Sequence, residues 1–187
     1  GNPVMVNNLK DRRNTQLRTI NNISLNYTPV TNLTLTATGG LDYMDFRHDS
    51  YEPQELQESS HLGTAWLNKK WVTNYNYTLL ASYKFRLPDV HSLTGMIGHE
   101  FQASKMTGKD NTVTNVTSAM DKDPSLTNAT QDEKPIGVQE WSFVSYFTRF
   151  NYMYKDRYIA QASMRIDGSS RFGPNNRFGY FPTVAAG

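Results

Sequence analysis

The stretch His99-Glu100-Phe101-Gln102-Ala103 begins like the helical zinc motif of metalloproteases, in which two histidines four residues apart bind the ion. Ala103 stands where the second histidine is needed, and the stretch alternates as a strand does, so the zinc interpretation fails. The histidines at positions 48, 61, 91 and 99 show no other ligand spacing, which favours ordinary polar side chains. We therefore predict no metal site and no cofactor.

A calcium loop is suggested by Asp121-Lys122-Asp123-Pro124-Ser125, with Asp132 at the twelfth position. Leu126 occupies the position where the sharp turn of such a loop needs glycine, and Pro124 stiffens the segment. The sequence leaves open whether the segment 104–139 binds an ion.

Residues for hydrolytic or phosphate chemistry are no better placed. Glu52, Glu55 and Glu58 lie close together, as catalytic carboxylates would, but their place in a loop favours solvated charge. Gly108-Lys109-Asp110 lacks the upstream glycine and the hydroxyl residue of a phosphate-binding loop. Because no serine pairs with a histidine in a recognisable nucleophile turn, we predict that the protein is not an enzyme.

Composition narrows the fold class. The 187 residues include 17 Asn, 19 Thr and 14 Ser, which disfavour a helical bundle, and the lack of cysteine excludes a disulfide-stapled domain. The 11 Tyr and 9 Phe are too many for a disordered chain. The net charge of +2, without a long basic block, argues against nucleic acid as a partner. No apolar run reaches the roughly 20 residues of a membrane helix, whereas a barrel strand needs only one apolar face.

Alternation of apolar and polar residues dominates the chain and predicts β-strands. It is strongest in 33–43, 71–85, 144–154 and 158–167. Weaker versions run through 16–27, 91–103 and from 178 onward. We predict seven strands, several of them 11 to 16 residues long, against about 5–6 in ordinary globular proteins.

The alternation also predicts which side chains share a face. If the strands form a membrane barrel, a shift of their register by one residue would move two arginine side chains into the lipid. Each would then destabilise the barrel by roughly 2–4 kcal/mol near the midplane of the bilayer. The residues expected to face outward are Tyr146, Phe150, Tyr152, Ala160, Ala162 and Met164. Those expected to face inward are Arg149, Asn151, Gln161, Ser163 and Arg165.

The connections alternate between short and long. Turn-forming residues make 28–32, 86–90 and 155–157 short, whereas the polar segments 46–70, 104–139 and 168–177 are long. All short turns then lie at one rim of an antiparallel sheet and all long loops at the other, as in outer-membrane barrels. The alternative is a soluble β-sandwich, working as a surface adhesin or glycan-binding module, which has no reason to segregate loop lengths.

Aromatic residues of the apolar face cluster near predicted strand ends. Such rings form the girdles of a membrane barrel, although cross-strand pairs in a soluble sheet are the simpler alternative. The cluster comprises Tyr27, Tyr43, Tyr83, Phe85, Tyr152, Tyr154 and Tyr158.

One region is far more specific than the rest. It runs from Ser145-Tyr146-Phe147-Thr148-Arg149-Phe150-Asn151-Tyr152 through Asp167-Gly168-Ser169-Ser170-Arg171-Phe172-Gly173 to Phe178-Gly179-Tyr180-Phe181-Pro182. It closely resembles the barrel of SusC/RagA-type TonB-dependent outer-membrane transporters of Bacteroidetes-like bacteria. Thr148 stands where that family often has Gly, and Phe178 where it often has Trp. The rest of the chain matches in strand length, loop rhythm and composition.

The resemblance implies an all-β, antiparallel up-and-down transmembrane barrel of about 22 strands, of which residues 1–187 supply about seven. It implies a plug domain, a barrel closure and a TonB-contacting segment, none of which is expected within 1–187. It also implies a SusD-like surface lipoprotein, import of oligosaccharides or peptides, and a place in the outer membrane. It carries over no substrate-binding residue.

The loop after position 167 is predicted to be a structural corner that orders the outer rim. Glycines give it backbone freedom, and Asp167 is expected to fold it back on the wall by bonding Arg171 or Arg177. The motif comprises Asp167, Gly168, Arg171, Gly173, Pro174 and Arg177.

Overall fold

The computed structural model describes residues 10–56, 63–116, 130–173 and 177–187. Long alternating segments form strands throughout these ranges, and a single 3-10 turn covers Gln54–Leu56. The strands are β1 Asp11–Val30, β2 Leu33–Glu52, β3 Gly63–Phe85, β4 His91–Val116, β5 Thr130–Tyr154, β6 Tyr158–Ser169 and β7 Phe178–Ala186.

The seven strands lie in one sheet in the order β1-β2-β3-β4-β5-β6-β7, without a crossover. Each neighbour along the chain is therefore a neighbour in the sheet, which is an up-and-down antiparallel arrangement. The predicted fold class and strand number are confirmed. A β-sandwich needs two packed sheets, and the described residues form one.

The predicted extents of two long loops were wrong. β2 continues to Glu52 and β3 begins at Gly63, within the segment 46–70. β4 likewise continues to Val116 and β5 begins at Thr130, within 104–139. The alternation fades there because these strand ends no longer separate two different solvents, while their backbones still pair with their neighbours.

The short turns match their predicted places. Asn32 has a φ of 74°, and Lys155 and Asp156 have φ of 51° and 50°, as tight hairpin turns require. The backbone N–H of Arg157 donates to the carbonyl of Tyr154 at 3.1 Å, closing the β5–β6 turn. The first turn is tighter than the predicted 28–32, because β1 extends to Val30.

The register of β5 and β6 pairs the two predicted residue sets as expected. Tyr146 lies opposite Ile166 and Phe150 opposite Ala162, whereas Arg149 lies opposite Ser163. Because side chains alternate along a strand, the apolar pairs share one face and the polar pairs the other. The outward and inward sets are thus on separate faces.

The chain divides into two compact units. The first unit contains the described residues of 1–19, 43–73 and 105–139, and the second those of 20–42, 74–104 and 140–187. The first unit has a small apolar core in which Ala65, Val113 and Val116 are buried and Tyr51 packs against them. Leu67 is also buried there.

None of the helical segments in the described ranges has both the length and the hydropathy needed to cross a membrane.

Candidate functional site

The second unit has two chemically different faces. We define the apolar face as the one that carries Leu79, Ile97 and Phe150, and the polar face as the one that carries Glu100 and Arg165. Leu79 is 50% exposed and Ile97 is 65% exposed. At about 25 cal/mol per Å², leaving such apolar area in water is costly, so this face requires an apolar partner.

An open groove of about 530 Å³ lies on the apolar face. Leucine, isoleucine and alanine side chains of β1 to β4 line most of it, and His99 and Tyr146 lie among its lining residues. A Cβ at Gly95 would lie 3.0 Å from both the Phe85 and the Phe150 ring, so glycine there lets the two rings approach.

A row of aromatic rings follows the short turns. His91 stacks on Tyr152 at 5.9 Å, and its Nδ1 lies 2.6 Å from the Tyr152 hydroxyl. Tyr154 and Tyr158 stack at 6.4 Å, and Lys155 lies over the Tyr154 ring at 5.2 Å. The rings of Tyr83 and Phe85 also meet edge to face at 5.0 Å, so five of the predicted girdle residues contact each other or His91. His91 is therefore part of an aromatic row rather than an isolated polar side chain.

A second aromatic row crosses β3, β4 and β5. The His99 ring stacks on Tyr146 at 4.7 Å, and its Nε2 lies 3.1 Å from the Tyr77 hydroxyl. Its Nδ1 lies 3.2 Å from the carbonyl oxygen of Ser145, which can only accept, so Nδ1 carries the proton. With the proton on Nδ1, Nε2 can accept from the Tyr77 hydroxyl, so both ring nitrogens have a hydrogen-bond partner.

The two aromatic rows are separated by a constant number of residues. The step is eight residues from Tyr77 to Phe85, from His91 to His99 and from Tyr146 to Tyr154. Eight residues of strand span about 26 Å. This step is close to the length of a tilted strand that crosses the bilayer core, which has roughly 9–11 residues. The apolar side chains of this face lie between two rows of rings, all of which except Phe85 are amphipathic.

The polar face carries a connected cluster of charged groups. Arg165 donates from Nε to Asp167 at 2.7 Å and from Nη2 to Glu100 at 3.2 Å. The same Nη2 lies 2.8 Å from the hydroxyl of Ser145, which also bonds Asp167. Gln102 donates to Glu100 at 2.7 Å. The cluster links β4, β5 and β6 across the sheet.

Gly98 has a packing role beside this cluster. A Cβ at position 98 would overlap the ring of Phe147, so only glycine lets that ring lie against β4. The Arg165 guanidinium lies 5.7 Å from the centroid of the same ring. Gly98, Phe147 and Arg165 therefore form a stack from the backbone outward.

Within the predicted loop motif, Asp167 bonds Arg165 and Ser145, rather than Arg171 or Arg177 as expected. The expected partners were close in sequence, but Arg165 is two residues before Asp167 on the same face of β6. The Arg171 guanidinium instead lies 5.3 Å over the Trp141 ring. The backbone carbonyl of Arg177 accepts from Ser169 at 3.1 Å.

Other members of the motif have simpler surroundings. A Cβ at Gly168 would overlap Phe178 and crowd Val144, whereas one at Gly173 would meet no atom of the described residues within 4 Å. Pro174 lies outside the described residues. The loop base is held by Ser170, whose N–H donates to the Ser142 carbonyl at 2.9 Å and whose hydroxyl accepts from the Ser142 N–H at 2.8 Å. No local signal in the sequence marks this reciprocal pair.

The other candidate sites were disfavoured or left open by the sequence. Most of the calcium-loop candidate and Glu58 lie outside the described residues. Within the described ranges, no three His, Asp or Glu side chains are grouped to hold a metal ion. Glu52 pairs with Lys10 at 2.8 Å. Asp132 bonds Lys134 at 2.7 Å and raises the pKa of that exposed ammonium above its usual value.

Comparisons with known proteins agree with this picture. No protein-family model matches the chain. The chain is 25% identical over 175 residues to TonB-dependent receptor P26 of Formosa agariphila, covering 87% of this chain and 17% of the relative. Over 46 residues, 25% of this chain, it is 52% identical to TonB-dependent receptor SusC of Bacteroides thetaiotaomicron. The chain spans 17% of the length of the first curated relatives that it matches.

Solved structures give the same relationship. The chain superposes on the structure of the RagAB peptide transporter with a TM-score of 0.87 and 25% identity, covering 98% of this chain and 21% of that one. The siderophore receptor PiuA of Acinetobacter baumannii shares the fold at a TM-score of 0.53 and 12% identity. The sequence motif, the strand topology and these similarities all agree with the resemblance of this chain to a barrel segment of the SusC/RagA-type TonB-dependent receptors.

Proposed function

We propose that this chain forms part of the wall of an outer-membrane, TonB-dependent transporter that imports oligosaccharides or peptides. In this proposal residues 1–187 belong to one barrel domain, and the plug and the strands that close the barrel lie elsewhere in the full-length protein. A SusD-like surface lipoprotein covers the outer opening, and the TonB complex supplies the energy. The work is binding and passage of a solute rather than covalent chemistry.

The observation that carries the proposal is the eight-residue spacing of the two aromatic rows on the apolar face. Tyr77, His99 and Tyr146 form one row, and their partners near the short turns form the other. Amphipathic rings favour the two headgroup levels, and the exposed apolar side chains between them favour acyl chains. The apolar face then meets lipid, and the polar face meets the lumen.

Uptake by the full-length receptor in its own bacterium tests the proposal. Cells with the gene deleted, cells with it restored and restored cells without TonB are offered labelled pentapeptides and labelled oligosaccharides. We expect uptake of one solute class in the restored cells alone. Equal uptake in all three strains would contradict a transport role.

We also propose that the motif that begins at Asp167 in β6 and continues into the following loop is a structural corner rather than a substrate contact. Asp167 ties β6 to β5 through Ser145, and Ser170 ties the loop base to Ser142. Asp167→Ala leaves Glu100 as the remaining carboxylate partner of Arg165. The loss of the Asp167 hydrogen bonds should lower the free energy of unfolding by about 1–2 kcal/mol.

The Asp167→Ala variant of the full-length receptor should show fewer assembled barrels and a lower heat resistance on gel electrophoresis. Correctly assembled molecules should keep their affinity for the transported solute. Normal assembly combined with lost binding would assign the loop to substrate contact.

A further inference from the structure

The polar face of β5 and β6 contains a depression of about 290 Å³. Arg149, Ser163 and Arg165 line it together with Phe147 and Met96. Arg149 lies directly opposite Ser163, and Arg165 lies directly opposite Phe147. The small Ser163 therefore leaves room between the two arginine side chains.

The two arginines of the depression differ in their hydrogen-bond partners. Arg165 is held by Asp167 and Glu100 and by its position over the Phe147 ring. The exposed Arg149 guanidinium makes no hydrogen bond or ion pair with any residue that the structure describes. One guanidinium of the depression is thus fixed in place, and the other has all its donors available for a ligand.

The chemistry of the lining defines the ligand. A planar guanidinium pairs best with a carboxylate through two parallel hydrogen bonds, and the hydroxyl of Ser163 adds another donor. Phe147 and Met96 give the same depression an apolar side. The last residue of a peptide presents a carboxylate beside a side chain that can be apolar, whereas a neutral sugar ring presents mainly hydroxyls.

Resting on the proposed transport function, we propose that this depression binds the terminal carboxylate of a peptide in transit. Arg149 pairs with the carboxylate, and Phe147 and Met96 contact the last side chain. Arg165 is a positioning residue, since its guanidinium holds the Phe147 ring against Gly98.

The test uses the full-length receptor in detergent and an N-terminally labelled pentaalanine, both as the free acid and as the C-terminal amide. Fluorescence anisotropy should show that the wild type binds the acid about tenfold more tightly than the amide, as one charge-assisted pair predicts. Arg149→Gln should bind both forms with the affinity of the amide. Arg149→Lys, which keeps a point charge but not the fork, should retain part of the preference.

Two further variants serve as controls. Arg157→Gln changes an arginine in the 155–157 turn and should keep the full preference for the acid. Ser163→Leu fills the depression without changing any charge and should weaken binding of the acid. If Arg149→Gln does not assemble, Arg149→Lys and Ser163→Leu still decide the question.

Equal affinity of the wild type for acid and amide, or a preference that survives Arg149→Gln, would overturn the proposal. Binding of a galacturonate trisaccharide through Arg149, with no binding of either pentaalanine, would also overturn it in favour of a sugar acid. If cells still import the amide through TonB in any of these cases, the transporter assignment stands and only the carboxylate site fails.

Discussion

The two compact units of this chain differ in where they place their apolar side chains. The first unit has a small buried core, in which Ala65 and Val113 are fully inaccessible, although Leu17 and Val138 of this unit are exposed. The second unit leaves Leu25, Leu79 and Ile97 at least half exposed on one face of the sheet. Strands of the same sheet thus follow two rules, one suited to water and one to a solvent that differs between the two faces.

The difference between the units indicates that alternation of apolar and polar residues depends on the surroundings of the two sheet faces, and not on strand formation alone. Where one face requires an apolar partner and the other is polar, as in 75–85, the alternation is nearly unbroken. Where a strand contributes to the small buried core of the first unit, as around Val113, its sequence shows no long apolar–polar alternation. Substitutions in the two units, each compared with a matched control, should therefore have different effects.

The largest effect is expected for Leu79→Arg in the full-length receptor. An arginine in the middle of the apolar face costs roughly 2–4 kcal/mol in lipid. The level of assembled barrel in the outer membrane, measured by heat-modifiable mobility, should fall at least about tenfold. Thr78→Arg places the same side chain on the opposite face one residue earlier and should change that level little. Equal losses in both variants would contradict the assignment of the faces.

A smaller effect is expected for Val113→Ala in the first unit. Val113 is fully buried, and removal of two methyl-sized groups should cost about 2 kcal/mol. Limited proteolysis of the full-length receptor should cleave the first unit faster while the heat-resistant barrel remains. Val138→Ala, at a position that is 60% exposed, should leave the cleavage rate unchanged. Loss of the barrel itself would show that the two units do not follow separate rules.

The smallest effect is expected for Gly98→Ala. The added Cβ would overlap the Phe147 ring, which must shift together with the Arg165 guanidinium above it. We expect the free energy of unfolding to fall by about 1 kcal/mol. The measurement is a modest drop in the unfolding temperature of the detergent-solubilised receptor. Gly137→Ala meets nothing within 4 Å and should have no such effect. A rise in unfolding temperature for Gly98→Ala would remove the stack from the account.

Much of the second unit was predictable from sequence, because period-two alternation carries face and strand together. It separated Tyr146 and Phe150 from Arg149 and Arg165 correctly. The aromatic rows were predicted only in part. His91 and His99 belong to them, and their place in the alternation of β4 was the available signal.

Other features depend on the sheet and have no local signal. The pairing of Glu100 with Arg165 joins residues 65 positions apart, and it exists because β4, β5 and β6 are neighbours. The strand extensions to Glu52 and Val116 are stabilised by pairing with neighbouring strands. Polar sequences can pair in this way, but they contain no pattern that predicts it. The partner of Asp167 was mispredicted because proximity in the loop was given more weight than the shared face of β6.

The central claim is that alternate residues of one strand face lipid and lumen, and a spin-label scan of positions 75–85 tests it most directly. Single cysteines are introduced into the full-length receptor in lipid bilayers, and this stretch has no native cysteine. Accessibility to oxygen, which partitions into lipid, should peak at odd positions, including Leu79 and Ala81. Accessibility to a water-soluble nickel chelate should peak at even positions, including Thr78 and Ser82. Equal accessibility on both faces, or a period other than two, would contradict the account.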